Sequence, residues 1–343
     1  METAIVTAIG SFSSDIVIRT LKEEGFYVIG CDIYDRKWVA QSLDTDEFYQ
    51  APYAADEEVY MEFLKQLCRD KKPKLLLPLT DVEVDVLNIH REELEMLHTM
   101  VCMSERKTIS LCRNKEKLEK YVREAGICRT IPSIPMRELL KAAEGEKEDK
   151  SGVEKESEGN SLLTMIPWKQ MVLKPINGRS SSGLYRVYDK RKLPAYKRLV
   201  DRPEEYLIQP LIDGDVITVD VVRDNKGNMV AVPRRELLRT LNGAGTSVEV
   251  FRDRALEECC MRIAALLDIR GCVNFEFIEE KGTGEQYFME CNPRFSGGAA
   301  FSCLAGCDVV RKHIQVFQGN SISSENRAVC CHIARKYKES IVE

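Results

Sequence analysis

Cys272-Val273-Asn274-Phe275-Glu276-Phe277-Ile278 is followed by Lys281-Gly282-Thr283-Gly284 and then by Gln286-Tyr287-Phe288-Met289-Glu290-Cys291-Asn292-Pro293-Arg294. Two strand-like runs joined by a glycine-containing turn predict a β-hairpin. A turn centred near Thr283 sets Glu276 opposite Glu290. Strand side chains alternate faces, so Asn274, Glu276, Glu290 and Asn292 share one face. Val273, Phe275, Phe277, Tyr287, Met289 and Cys291 share the other, which can pack on an amphipathic helix expected at 254–267. Carboxylates set directly opposite each other destabilise a hairpin unless a cation lies between them. Oxygen donors of the Glu, Glu, Asn type suit Mg²⁺, which takes one or two carboxylates together with nucleotide phosphates.

Upstream, Met171-Val172-Leu173-Lys174-Pro175 leads into Asn177-Gly178-Arg179-Ser180-Ser181-Ser182-Gly183 and a second strand, Leu184-Tyr185-Arg186-Val187. A Gly/Ser loop between strands can turn backbone N–H groups toward phosphates, with Lys174 as a fixed charge beside them. It is not a Walker A loop, because no Lys-Ser/Thr follows Gly183 and a strand follows in place of a helix. Further strands are expected at 206–209, 215–223 and 228–234.

The N-terminal part alternates differently. Ala4–Ile9 is a short apolar run ending at Gly10, residues 14–24 have helical spacing stopped by Gly25, and Tyr27–Cys31 is a second strand. A helix near 57–70 precedes a buried strand, Leu75–Leu79. This is the pattern of a doubly wound parallel sheet over residues 1–100. Asp32 after Gly10 suggests a dinucleotide site, but only one of the three fingerprint glycines is present. Residues 144–160 carry charge without an apolar face and are expected to be a solvated insertion that can be deleted.

Composition bounds the function. The chain has 343 residues, 50 basic and 55 acidic, for a net charge of −5. That balance argues against a dedicated nucleic-acid binder. No apolar run approaches the ~20 residues of a membrane span, and the N-terminus lacks a signal pattern, so the expected location is cytoplasmic. The thirteen cysteines have no zinc-type spacing and are expected to be reduced, packed thiols.

Together these motifs resemble the ATP-grasp superfamily, most closely a carbamoyl-phosphate-synthase-like single-unit member. The resemblance implies an α/β chain: a pre-ATP-grasp domain (1–100), then an α+β ATP-grasp fold in two subdomains (101–207 and 208–343). It implies ATP and Mg²⁺ as cofactors, with Mn²⁺ as an alternative to Mg²⁺. Lys115, Lys174, Ser181, Ser182 and Gly183 would meet ATP phosphates. Gln209 and Leu211 would lie at the adenine, and Asp215 at the ribose. Glu276, Glu290 and Asn292 match the metal motifs, and Arg294 would inherit a catalytic place, with Lys174, beside the transferred phosphoryl group. Asn114 replaces the usual Asp before Lys115, and Gln209 stands where many members carry Glu. Val232-Pro233-Arg234-Arg235-Glu236 offers Arg234 or Arg235 as a clamp for a substrate carboxylate. The implied activity is ATP-dependent ligation of a carboxylate to an amine or other nucleophile, on small molecules and in a possible homodimer. The alternative is an ATP-binding regulatory or partner-dependent subunit.

Overall fold

The computed structural model describes residues 1–141, 165–179, 182–241 and 243–342; the expected insertion at 144–160 lies outside them, as does Ser181. The chain forms two compact units. One comprises Met1–Arg113, Val216–Phe277 and Glu290–Glu343, the other Asn114–Asp215 and Ile278–Met289.

The first unit begins with β1 (Thr3–Val6), α1 (Ser14–Glu23), β2 (Tyr27–Asp32), β3 (Glu47–Gln50), α2 (Glu57–Lys71), β4 (Leu75–Leu77), α3 (Asp81–Glu95), β5 (Met100–Val101) and α4 (Arg106–Arg113). The five strands make a parallel sheet in the order β3-β2-β1-β4-β5. This is the doubly wound sheet that the alternating pattern predicts. Gly25 ends α1 at φ +80°, a conformation that an L side chain rarely adopts. A Thr80–Glu83 capping box opens α3. The dinucleotide reading fails at its acid: Asp32 Oδ2 accepts the Gly10 amide at 2.7 Å, so the carboxylate is folded back onto the turn.

The second unit contains α5 (Lys115–Glu124), β6 (Ile134–Pro135), β7 (Met171–Pro175), β8 (Tyr185–Val187), α6 (Leu193–Leu199) and β9 (Tyr206–Pro210). Its four strands are ordered β6-β9-β7-β8 and pair antiparallel. Met171, Leu173, Val187 and Ile208 form its core with Met136, Leu139 and Leu193.

A six-stranded sheet follows, built from β10 (Gly214–Arg223), β11 (Met229–Arg239), β12 (Gly245–Val250), β13 (Gly271–Glu280), β14 (Gln286–Asn292) and β15 (Cys331–Ala334), in the order β14-β13-β10-β11-β12-β15. Helix α7 (Arg254–Leu266) lies against β11. Helices α8 (Ala299–Leu304) and α9 (Val309–Phe317) complete the first unit.

The sheet has one continuous apolar face and one graded face. Ile217, Val219, Val221, Val273, Phe275 and Phe277 are buried on the first. On the other, β13 passes from Cys272 in the core, through Asn274, to Glu276 at a half-buried position. Strand β11 does the same through Val230, Val232, Arg234 and Glu236. A period of two therefore carries each strand from core to candidate site without changing face.

Strict alternation does not hold in β14. Its buried residues are Phe288 and Cys291, three apart, while Tyr287 and Met289 are half-buried. The expected apolar row of Tyr287, Met289 and Cys291 is corrected accordingly. A physical reason is visible in the second unit, where Phe288 bonds through its backbone to Arg129 at 2.9 Å and Ile131 at 3.4 Å. An extra chain segment thus claims that stretch of the strand.

Candidate functional site

Glu276, Glu290, Asn292 and Arg294 all belong to the first unit. Asn292 Nδ2 donates to Glu276 Oε1 at 3.1 Å, and Arg239 Nη2 lies 3.4 Å from Glu276 Oε2. Burial raises the Glu276 pKa above the usual carboxylate range, and the Glu290 charge adds to the effect. Arg239 and Arg294 oppose that rise, while a third carboxylate, Glu236, reinforces it. Glu236 Oε1 accepts from Thr218 at 2.7 Å, and its Oε2 is buried without a hydrogen bond. The glycine at 245 leaves room for it: a Cβ there would lie 1.9 Å from Glu236 Oε2.

This group is acid-rich and half-buried, which is costly unless positive charge joins it. Among the described residues no three His, Cys, Asp or Glu side chains form a metal-binding group. The donor set here is two glutamates plus the Asn292 amide, and its excess negative charge fits a divalent cation.

Arg294 donates to Asp81 Oδ2 at 2.7 Å, and Arg113 lies 3.6 Å from Asp81 Oδ1 while bonding Asp85 at 2.7 Å. Burial works against the Arg294 charge, but Asp81 more than offsets it, so its pKa is raised and it stays cationic. Asp81 is the first residue of α3, just past the strand that the sequence places at Leu75–Leu79. Glu236 and Arg239 went unsingled, although Glu236 directly follows the two arginines.

Arg234 is not available as a substrate clamp. It is 0% exposed, pairs with Asp220, and donates to Ser302, to Thr218 at 3.3 Å and to Ser296 at 3.1 Å. Asn274 adds a bond to Asp220 at 3.4 Å. Arg235 points elsewhere, pairing with Glu249 at 2.7 Å and lying over the Phe251 ring.

The second unit holds the other predicted residues. The β7–β9 register sets Lys174 opposite Leu207 and Val172 opposite Gln209, so Lys174 and Gln209 share the face away from Leu173 and Ile208. Both are buried. Lys115 opens α5; its amide donates to Ile176 O at 3.1 Å and its ammonium to Gly178 O at 2.6 Å. The lysine thereby ties the helix start to the Gly/Ser loop. Gly183, at φ +70°, lets the loop pass Tyr206, whose hydroxyl would be 2.8 Å from an added Cβ. Ser182 N donates to Arg179 O at 2.9 Å, and Leu211 N to Gln170 O at 3.1 Å. Asp215 is half-exposed, 3.9 Å from Lys281 Nζ.

Two family models match parts of the chain. Residues 202–337 match "ATP-grasp in the biosynthetic pathway with Ter operon", and residues 8–102 match "PylC-like, N-terminal domain". Among curated proteins, the N-terminal section of the carbamoyl phosphate synthase large chain is 23% identical from Aquifex aeolicus, over 86% of this chain and 52% of that protein. The Methanopyrus kandleri counterpart is also 23% identical, over 86% and 51%. The chain thus spans about half the length of these curated relatives. Among solved structures, a Campylobacter jejuni biotin carboxylase complex aligns with a TM-score of 0.73 at 18% identity, covering 96% of this chain and 74% of that one. A Staphylococcus aureus N5-carboxyaminoimidazole synthetase aligns at 0.69 and 14% identity, covering 94% and 78%. These likenesses establish the shared fold.

Proposed function

We propose that this chain, whose residues 202–337 match an ATP-grasp family model, uses ATP to activate a carboxylate as an acyl phosphate, which an amine or other nucleophile then attacks. The observation that carries this reading is the acid group of Glu276 and Glu290 beside Asn292, with Arg294 held cationic by Asp81. Such a cluster is poorly suited to a purely structural sheet face.

In this reading Lys174, Lys115, Ser182 and Gly183 receive the nucleotide phosphates, as does Ser181. The stretch from Gln209 to Leu211 holds the base, and Asp215 the ribose. Glu276, Glu290 and Asn292 would hold Mg²⁺, or Mn²⁺ in its place, which when bound neutralises phosphate charge. Arg294 stabilises negative charge on the transferred phosphoryl group, and its pairing with Asp81 keeps it oriented before substrate arrives. The substrate carboxylate oxygen bonds to the γ-phosphorus as the bond to ADP breaks. The nucleophile then adds to the acyl carbon and phosphate leaves. Positioning and charge neutralisation carry most of such catalysis.

The test is ADP release from Mg²⁺-ATP by the purified chain across a panel of bicarbonate, C2–C6 carboxylates and amino acids. Stimulation by one acid, with a ligated product found by mass spectrometry, is the expected result. Binding of ATP without any stimulated turnover would favour the regulatory-subunit alternative.

A further inference from the structure

Arg335, just beyond β15, carries a charge that no neighbouring acid balances. Its Nε donates to Gly245 O at 3.3 Å, its Nη1 to Phe12 O at 3.3 Å, and its Nη2 to Gly297 O. The guanidinium lies 4.9 Å from the ring centroids of both Phe12 and Phe301. Among the described residues no carboxylate lies within the 4.0 Å of an ion pair. Burial lowers its pKa, and Tyr337, Asp15 and Glu236 oppose that only in part. Other arginines of the same unit differ: Arg234, Arg235, Arg294 and Arg311 each hold a carboxylate.

A guanidinium has five N–H donors in a rigid plane. Three meet carbonyls here, which leaves one N–H on Nη1 and one on Nη2. Two N–H groups on one guanidinium plane can serve a planar carboxylate. The three carbonyls come from the loop after β1, the start of β12 and the segment after Arg294, so the fork is oriented by well-separated parts of the first unit. Gly245 also borders Glu236, which places the guanidinium's anchor beside the acid group. An acid approaching Glu236, Glu276 and Glu290 is repelled unless a cation draws it in. Arg234, Arg235 and Arg294 are already engaged with carboxylates of the chain.

We infer that Arg335 receives the planar anionic group of the acid substrate, a carboxylate or bicarbonate. The inference rests on the ligase reading, and two measurements on the full chain separate their fates. The first is phenylglyoxal labelling, with Arg335 modification followed by peptide mass spectrometry in the presence of bicarbonate, acetate or succinate. The second is the ADP-release panel on the wild type, Arg335→Lys and Arg335→Met, with Arg327→Met as a surface control.

The expected results are protection of Arg335 by at least one of these anions, and a KM for the stimulating acid raised about 10- to 100-fold in Arg335→Met. Arg335→Lys, which keeps charge but loses the fork, falls between. The KM for ATP stays within about twofold in both. The relative protection by bicarbonate and by the organic acids tells the two sources apart. Protection without any stimulated turnover supports the Arg335 site and overturns the ligase reading. Stimulated turnover with an unchanged acid KM overturns the Arg335 site and leaves the ligase reading standing. Absence of both effects overturns both. Should Arg335→Met fail to fold, labelling of the wild type and the kinetics of Arg335→Lys decide.

Discussion

Two charged clusters occupy the same face of the six-stranded sheet, and they are opposite in kind. Around Arg234, one guanidinium meets one carboxylate, Asp220, with Thr218, Ser296, Ser302 and Asn274 completing the bonding. Both charged side chains are 0% exposed. Around Glu276 several charges of each sign meet: Glu236, Glu276, Glu290 and Asp81 stand near Arg113, Arg239 and Arg294. The isolated pair can serve the fold. In the larger group the neighbouring carboxylates push the Glu276 pKa up, and a bound cation would oppose that rise.

The sharpest way to break this contrast is to remove one partner from each cluster. Arg234→Met leaves Asp220 buried and unpaired, so urea denaturation should show a loss of about 3–5 kcal/mol or outright failure to fold. Adding Asp220→Leu should recover much of that loss, because the uncompensated charge is then gone. Little loss in the single variant would mean that the pair is not structural.

Glu290→Gln should behave in the reverse way. Turnover of Mg²⁺-ATP should disappear, while the melting temperature of the ligand-free chain stays level or rises. The extra stabilisation that Mg²⁺ adds to ATP should also shrink, because a ligand stabilises in proportion to its affinity for the folded state. A strong loss of ligand-free stability with Mg²⁺-ATP stabilisation intact would make Glu290 a structural carboxylate.

His313 sharpens the comparison as a buried group kept neutral. Its Nδ1 accepts from Cys272 N at 2.8 Å, Phe295 and Phe317 flank the ring, and burial pushes its pKa down to about 3. The unfolded chain takes up a proton near pH 6.5 that the folded chain refuses. Stability from this group is therefore full above about pH 6.5 and is lost as pH falls toward 3, by up to about 1.4 kcal/mol per pH unit. Melting curves between pH 7 and 4.5 should be less acid-sensitive for His313→Gln than for the wild type. Parallel pH dependence in the two would remove His313 from the account.

The last prediction concerns the second unit. Lys174→Ala should weaken ATP binding measured by calorimetry while the protein, which loses a buried lysine, still folds. Equal ATP affinity in the two proteins would remove Lys174 from the nucleotide site.

Much of this architecture is legible in local patterns. The first sheet follows from apolar runs punctuated by Gly10 and Gly25, and the strands at 171–175, 206–210 and 271–280 from short runs rich in apolar residues. The strand at 245–250 is not among the expected ones, because glycines at 243 and 245 favour a turn over a strand. The turn does exist: Thr240 N donates to Ala244 O at 2.8 Å, and pairing resumes at Gly245. The partial failure in β14 has the same origin, since alternation cannot anticipate a chain segment near residue 130 pairing along it.

The amino-acid order by itself determined the hairpin with its two glutamates, the Gly/Ser loop after Lys174 and the parallel α/β start, because each depends on neighbours within a few residues. Only the tertiary structure decided which arginine is consumed and which is open. Arg294 meets Asp81 across 213 residues, Arg335 meets Phe12 across 323, and Arg234 is enclosed by Ser296 and Ser302 from another part of the chain. A charge acquires its role from the charges packed around it, and packing between distant segments leaves no periodic trace in either one.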